Sequence, residues 1–179
     1  MLARRGWRWT AALALCAFVA GCSRVFWPDI DLSALPPEQA EALTAAITGD
    51  DFDACFAAVT AVGVQATSVP DRRNDRGCGY DGAVRVSATT LALNNAFVAE
   101  CRVVAALAAW EIGVVRPAAD ARFAAQPAGL DHLGTYNCRS VNNRPGARLS
   151  QHAHGNAIDV AAIRLDDGRR IAVNADNWR

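Results

Sequence analysis

The sequence of 179 residues contains no lysine, so arginine supplies all 18 basic side chains against 18 acidic ones. Together with the excess of alanine, this points to a compositional bias of the coding sequence more than to a functional choice. Arg72, Arg73 and Arg76 cluster, but the aspartates interleaved with them predict a solvated loop. Since phosphate contacts need clustered positive charge, the overall balance argues against nucleic-acid binding.

The N-terminus lacks an apolar run long enough to span a bilayer as a helix: the run from Thr10 to Ala20 is too short. It follows three arginines and leads into Val-Ala-Gly-Cys, which resembles a bacterial lipobox. We therefore expect residues 1–21 to be a lipoprotein signal peptide and Cys22 to become the lipidated first residue. An ordinary signal peptide and an uncleaved amphipathic anchor are the alternatives. The exported protein would lie on the periplasmic side of a bacterial membrane, anchored by acyl chains, with residues 22–35 as a tether.

No CxxC pair occurs among the six cysteines, which argues against a zinc cluster built from them. Apart from the two cysteines within the first 22 residues, an even number remains. In an exported protein, four cysteines predict a disulfide framework with three possible connectivities. Of these we favour the pairing Cys55–Cys78 and Cys101–Cys138.

With 52% apolar residues, the chain can bury one sizeable core but is too short for two full domains, so we expect one domain over residues 36–179. A helix is predicted from Pro36 to Gly49, where proline starts it and glycine ends it. From Cys55 to Gly82, short apolar runs alternate with turn clusters, which predicts strands joined by loops. A broad apolar face predicts a long helix from Ser87 or Thr89 to Ile112, which Arg116-Pro117 ends or interrupts.

The C-terminal third is predicted to be mostly strands. A strand is expected at about 134–141, followed by a loop at 142–146. Apolar runs at 157–165 and 169–173 flank Asp166-Asp167-Gly168, and Asp-Gly between such runs is typical of a β-hairpin.

The hairpin prediction places Asp159 inside a strand, between apolar neighbours. A carboxylate there is costly to desolvate unless a positive charge meets it. The positive charge would come either from a salt bridge to Arg139 or Arg148, or from a metal ion.

Histidine is scarce: the chain has three, and two of them lie in SQHAHGNAID at residues 150–159. His152 and Asp159 are seven residues apart, and Gly155 between them lets the chain turn so that an imidazole and a carboxylate converge. Nitrogen and oxygen ligands with an open position are what hydrolytic zinc uses. If the chain turns at Ala153, His154 points elsewhere, and we expect it to be an ordinary loop histidine.

Five positions of this segment fit the pattern SxHxxGxAxD: Ser150, His152, Gly155, Ala157 and Asp159. The pattern resembles the signature of a clan of zinc peptidases that includes D-alanyl-D-alanine peptidases, peptidoglycan amidases and the hedgehog fold. The span from about Cys55 to Trp178 looks more closely like the bacterial extensin-like C-terminal domain family. This resemblance is carried by CGY at 78–80, YNCR at 136–139, SQHAHGNAIDVAAIRLDDGRRIAV at 150–173 and the tryptophan near the end.

The resemblance implies an α+β fold, with an antiparallel sheet and helices on one side of it. It implies that His152 and Asp159 are zinc ligands and that Ser150 braces the loop or hydrogen-bonds a ligand. It also implies that Arg139 steadies a substrate carbonyl or the charge that develops on it. The implied activity is zinc-dependent hydrolysis of peptidoglycan stem peptides.

One departure from the resemblance limits this expectation. The clan takes a further zinc histidine from a downstream segment, whereas no histidine follows His154 here. His132 is not expected to substitute, because it lies upstream of Arg139. We therefore expect the domain to be incomplete at its C-terminus, and two functions stay open. The chain is either a zinc peptidase of the cell envelope or a non-catalytic protein, that is, a wall-binding lipoprotein or an inactive truncated remnant.

Overall fold

A computed structural model describes residues 30–173. The predicted signal peptide, Cys22, the first part of the tether and Trp178 lie outside the described residues. In the described part, no helix has the length and apolar character needed to cross a membrane. Leu32 and Leu35, at the end of the predicted tether, pack partly buried against the core.

Within residues 30–173, four α-helices form one layer: α1 (Pro37–Thr48), α2 (Phe52–Ala61), α3 (Cys101–Trp110) and α4 (Arg116–Phe123). The predicted first helix is confirmed, with proline in its first turn and Gly49 at its end. The prediction of short strands from Cys55 onward is wrong at its start, where the structure has α2. Asp51 caps this helix by accepting a hydrogen bond from the Ala54 amide (3.0 Å), and Cys55, Ala58 and Val59 form its buried stripe.

The second layer, as far as the structure describes the chain, is a six-stranded sheet in the order β1-β4-β5-β6-β7-β8. Its strands are β1 (Gln65–Ser68), β4 (Ala83–Ala88), β5 (Ala92–Glu100), β6 (Pro127–Gly134), β7 (Asp159–Leu165) and β8 (Arg170–Ala172). The fold is therefore α+β, as expected. The sheet is mixed and not purely antiparallel, however, because β5 and β6 run parallel. A parallel pair needs a long crossover, and α3 and α4 supply it.

A separate two-stranded ribbon joins β2 (Arg72–Arg73) to β3 (Gly79–Tyr80). The backbones approach so closely there that a Cβ built on Gly79 would lie 1.8 Å from the Arg72 carbonyl oxygen. Only glycine fits at that position.

The helix predicted from residue 87 or 89 to Ile112 is wrong in its first half. Residues 92–100 form β5, and the helix begins only at Cys101. The apolar positions Leu93, Phe97 and Cys101 are four residues apart, which places them on one face of a helix but equally on one face of a strand. Pairing with β4 and β6 decides the outcome.

Arg116-Pro117 does not end the helical segment. A π-helical turn at Glu111–Val115 connects α3 directly to α4, with the proline in the first turn of α4. Glu111 in this turn is fully buried; it accepts hydrogen bonds from the Thr89 hydroxyl (2.6 Å) and from the Thr90 amide (3.0 Å) and hydroxyl (2.6 Å). Burial raises the pKa of the Glu111 carboxyl, and the hydrogen bonds from Thr89 and Thr90 oppose this rise.

The predicted hairpin around Asp166-Asp167-Gly168 is confirmed as β7 and β8, with Gly168 at φ +88°. The strand expected at about 134–141 is wrong in position. The strand is β6, which ends at Gly134, and the residues that follow are irregular.

The predicted disulfide pairing is wrong. The structure joins Cys55 to Cys101, with a Cα–Cα distance of 6.2 Å, and Cys78 to Cys138, at 5.6 Å. Because residues 52–61 are helical, Cys55 faces the first turn of α3, where Cys101 lies. Cys78, just before β3, then meets Cys138, in the irregular segment after β6.

Candidate functional site

The predicted metal ligands lie close together at one end of the sheet. Asp159 is the first residue of β7 and pairs across the sheet with Gly134, the last residue of β6. His152 lies in a 3-10 turn at Gln151–His154, in the connection that leads into β7. The Asp159 side chain is 54% exposed and the His152 side chain 12%, so the histidine is set into the protein while the carboxylate faces solvent.

The orientation of the His152 ring is fixed by a contact of Nδ1, the ring nitrogen that does not face Asp159. Its Nδ1 lies 2.6 Å from the backbone carbonyl oxygen of Thr135. A carbonyl only accepts hydrogen bonds, so Nδ1 carries a proton, and in a neutral imidazole Nε2 is then the nitrogen with the lone pair. The Thr135 hydroxyl in turn donates to the Val98 carbonyl (2.7 Å), which ties this support to β5.

His152 Nε2 faces the carboxylate of Asp159, with 3.4 Å between Nε2 and Oδ1. Two zinc bonds of about 2.1 Å at a tetrahedral angle place their donor atoms about 3.4 Å apart. The separation therefore matches that of two ligands on one zinc ion. Asp159 forms no salt bridge with Arg139 or Arg148, the alternative that its sequence environment left open.

The number of donors is smaller than a complete zinc site requires. Within residues 30–173, no group of three or more His, Cys, Asp or Glu side chains converges as a metal site. His154 lies on the same turn as His152 but does not complete such a group. His132 belongs to the core, because its Nε2 lies 2.9 Å from the Asn95 carbonyl and its ring packs edge-on against Phe97. The donor types are ones that zinc binds, and His152 and Asp159 would supply two of its ligands.

Ser150 shapes the loop that carries His152. Its hydroxyl accepts a hydrogen bond from the His152 amide (3.4 Å) at the start of the 3-10 turn, and its own amide donates to the Arg139 carbonyl (3.0 Å). The residue is nearly buried, with 8% exposed. Its contacts are those of a brace for the loop.

Gly155 ends the turn in a left-handed conformation, at φ +66°. A Cβ at this position would lie 3.2 Å from the Cβ of Tyr80, and the Gly155 carbonyl accepts a hydrogen bond from the Glu100 amide (3.0 Å). Both the backbone angle and the close contact favour glycine. The glycine thus docks the histidine turn onto β3 and β5.

Arg139 lies on the segment that runs alongside the histidine turn. The Asn137 amide donates to the His152 carbonyl (2.9 Å), and Ser140 forms a β-bridge with Leu149. Arg139 is partly buried, and its guanidinium forms no ion pair with a described residue. The structure thus places Arg139 next to Ser150, opposite the start of the turn that carries His152.

A cleft of 610 Å³ lies elsewhere on the molecule, between the start of α2, the β1–β2 connection and the end of β5. Its lining includes several carboxylates but neither His152 nor Asp159. Most of these carboxylates already have partners: Asp51 caps α2, Asp71 accepts from the Gly82 amide, and Glu100 pairs with Arg102. The cleft is therefore separate from the histidine site.

The chain matches a known protein family. Residues 53–179 match the family model described as Extensin-like protein C-terminus, which spans more than half of the sequence. The chain belongs to this family of extensin-like C-terminal domains. No curated protein and no solved structure matches the chain.

Proposed function

We propose that this protein is an exported lipoprotein of the bacterial envelope whose extensin-like domain binds zinc through His152 and Asp159 and hydrolyses peptidoglycan stem peptides. The observation that carries the proposal is the 3.4 Å separation of the His152 Nε2 and Asp159 Oδ1 atoms, with Nδ1 bound to the Thr135 carbonyl. Metal-binding histidines characteristically donate their other ring N–H to a carbonyl or carboxylate in this way.

Zinc, when bound, would supply Lewis-acid activation of a water molecule and of a peptide carbonyl. The protein's own residues do the positioning. Thr135 and Ser150 fix the ring and backbone of His152, and the half-exposed Asp159 leaves the site open to solvent and to a substrate. Arg139, on the neighbouring segment, would donate hydrogen bonds to the carbonyl oxygen on which charge develops.

Export is supported by the cysteines. The described residues contain two disulfides, and such bonds persist mainly in oxidising compartments such as the periplasm. The lipobox-like Val-Ala-Gly-Cys sequence that ends at Cys22 supports a lipid anchor. Peptidoglycan is the peptide-bearing polymer that a protein in this position meets.

A second function is favoured by the number of donors. Because only two metal donors converge within residues 30–173, fewer than the three protein ligands of a catalytic zinc site, the domain would instead serve as a wall-binding module that holds stem peptides without cleaving them. In this case the surface around Arg139 and His152 would bind the peptide, and hydrolysis would be absent.

Digestion of purified peptidoglycan sacculi distinguishes the two functions. With zinc present, we expect the full chain to release soluble fragments. His152→Ala should lower the rate by at least about 100-fold, because loss of a ligand exceeds the 10- to 100-fold cost of losing a group that supports one. His154→Ala, two residues away on the same turn, is the matched control and should retain the rate. Sacculi that bind the chain but release no fragments, with or without zinc, would establish the wall-binding function instead.

A further inference from the structure

Two segments beside the histidine turn, residues 71–81 and 136–150, are held together as one surface. The Cys78–Cys138 disulfide joins them, and the Asn74 side-chain amide donates to the Cys138 sulfur (3.7 Å). A Cβ built on Gly77 would lie 3.5 Å from the Leu149 side chain, so Leu149 packs against this part of the ribbon. The two segments therefore present their side chains together.

This surface is rich in arginine. The two segments carry six arginines and three aspartates, and no acidic residue occurs between Asp131 and Asp159. Two of the aspartates are engaged: Asp81 pairs with Arg73, and Asp71 accepts a hydrogen bond from the Gly82 amide. The local excess of positive charge contrasts with the formal net charge of zero for the chain.

The five other arginines form what we call the arginine surface: Arg72, Arg76, Arg139, Arg144 and Arg148. Among the described residues, none of the five has an ion-pair partner. All except the partly buried Arg139 are exposed. The guanidinium carbon of Arg72 lies 5.2 Å from the centre of the Tyr136 ring, which holds that side chain over the second segment.

The backbone of the second segment is held by hydrogen bonds, some of which reach the candidate site. The Val141 amide donates to the Arg148 carbonyl (3.0 Å), and the Ser140 hydroxyl donates to the Arg144 carbonyl (2.7 Å). The Asn137 amide reaches the His152 carbonyl (2.9 Å). A ligand bound at His152 and Asp159 would extend directly onto the arginine surface.

We propose that the arginine surface binds the carboxylates of an acidic peptide whose backbone reaches the His152–Asp159 pair. Guanidinium groups pair with carboxylates in a bidentate manner, and a cluster of unpaired ones raises the local concentration of an anionic ligand. That this peptide is a substrate rests on the proposed function. That the peptide is acidic follows from the arginines alone.

A lipid surface fits the same residues less well. Membrane-surface binding combines basic residues with apolar side chains that enter the bilayer. The large exposed apolar side chains of the described residues are Ile30, Leu133 and Val173, and none lies in either segment. The arginine surface is thus suited to a soluble anionic ligand.

Fluorescence anisotropy with labelled hexaglutamate tests the proposal in the presence of EDTA. The full chain should bind this probe more weakly as salt rises, and labelled hexalysine should not bind. Arg144→Gln/Arg148→Gln should weaken binding by about tenfold or more, because it removes two of the five guanidinium groups of the arginine surface. The matched control is Arg85→Gln/Arg122→Gln, which removes two exposed arginines of β4 and α4 that have no ion pair among the described residues. It should bind within about twofold of the original chain.

Equal weakening in both double variants would overturn the proposal, because it would show an effect of net charge alone. Binding of phosphatidylglycerol vesicles but not of hexaglutamate would overturn it in favour of a lipid surface. If the original chain binds the probe but neither binds zinc nor digests sacculi, the proposed function fails and the arginine surface stands.

Discussion

Replacing Cys78 and Cys138 together by alanine should lower the free energy of unfolding by about 4 kcal/mol, the loop-closure value for a disulfide that spans 60 residues. Cys78 is almost completely buried, and its amide donates to the Asn74 side chain, so the bond also fixes the loop before β3. Urea unfolding of the oxidised variant and the original chain measures the difference.

The second disulfide is the matched control. Replacing Cys55 and Cys101 by alanine removes a bond that spans 46 residues, so the expected loss of stability is similar. Only the Cys78–Cys138 bond joins the two segments of the arginine surface, and only its loss should also weaken hexaglutamate binding. Mass spectrometry of a non-reduced digest should recover peptides that join Cys55 to Cys101 and Cys78 to Cys138. Recovery of a Cys55–Cys78 peptide would contradict the structure.

Glu111→Ala should destabilise the fold by about 3 kcal/mol or more. The carboxylate accepts hydrogen bonds from Thr89 and Thr90 inside the protein, and each buried donor left without a partner costs about 1–3 kcal/mol. The substitution also leaves a cavity between the π-helical turn and the β4–β5 connection. Thermal or urea unfolding checks the loss, and a change below about 1 kcal/mol would contradict this role.

Glu111→Gln separates the charge of this side chain from its size and hydrogen bonds. Since the pKa of Glu111 is raised in the folded protein, folding favours its protonated form. The stability that this group contributes is present at low pH and is lost as the pH rises through the raised pKa. As the pH rises from 4 to 8, the stability of Glu111→Gln should therefore increase relative to that of the original chain. A difference that stays constant, or that falls with rising pH, would show that the carboxyl is not raised in pKa.

The elements that could be predicted from the sequence are those with local causes. The β7–β8 hairpin follows from Asp167-Gly168, and α1 follows from the proline and glycine at its ends. Strand β5 could not be predicted in the same way, because a four-residue apolar spacing fits both a strand and a helix. Its parallel pairing with β6 depends on residues more than 30 positions away.

The candidate site also has a part that could be predicted from local sequence and a part that could not. The approach of His152 to Asp159 could be anticipated, since Gly155 permits the turn between them. The role of Thr135 could not, because its contact with His152 is made by a backbone carbonyl that any residue type could supply. The disulfide pairing also escaped prediction, because it depends on Cys55 lying in a helix.

The most direct measurement is a zinc titration of the purified chain against a competing chromophoric chelator. The pairing of His152 Nε2 with Asp159 Oδ1 predicts one equivalent of bound zinc, which His152→Ala and Asp159→Asn should both lose. His154→Ala should bind one equivalent as before. A chain that takes up no zinc, or a His152→Ala variant that binds it as tightly as the original, would contradict a metal site at this pair.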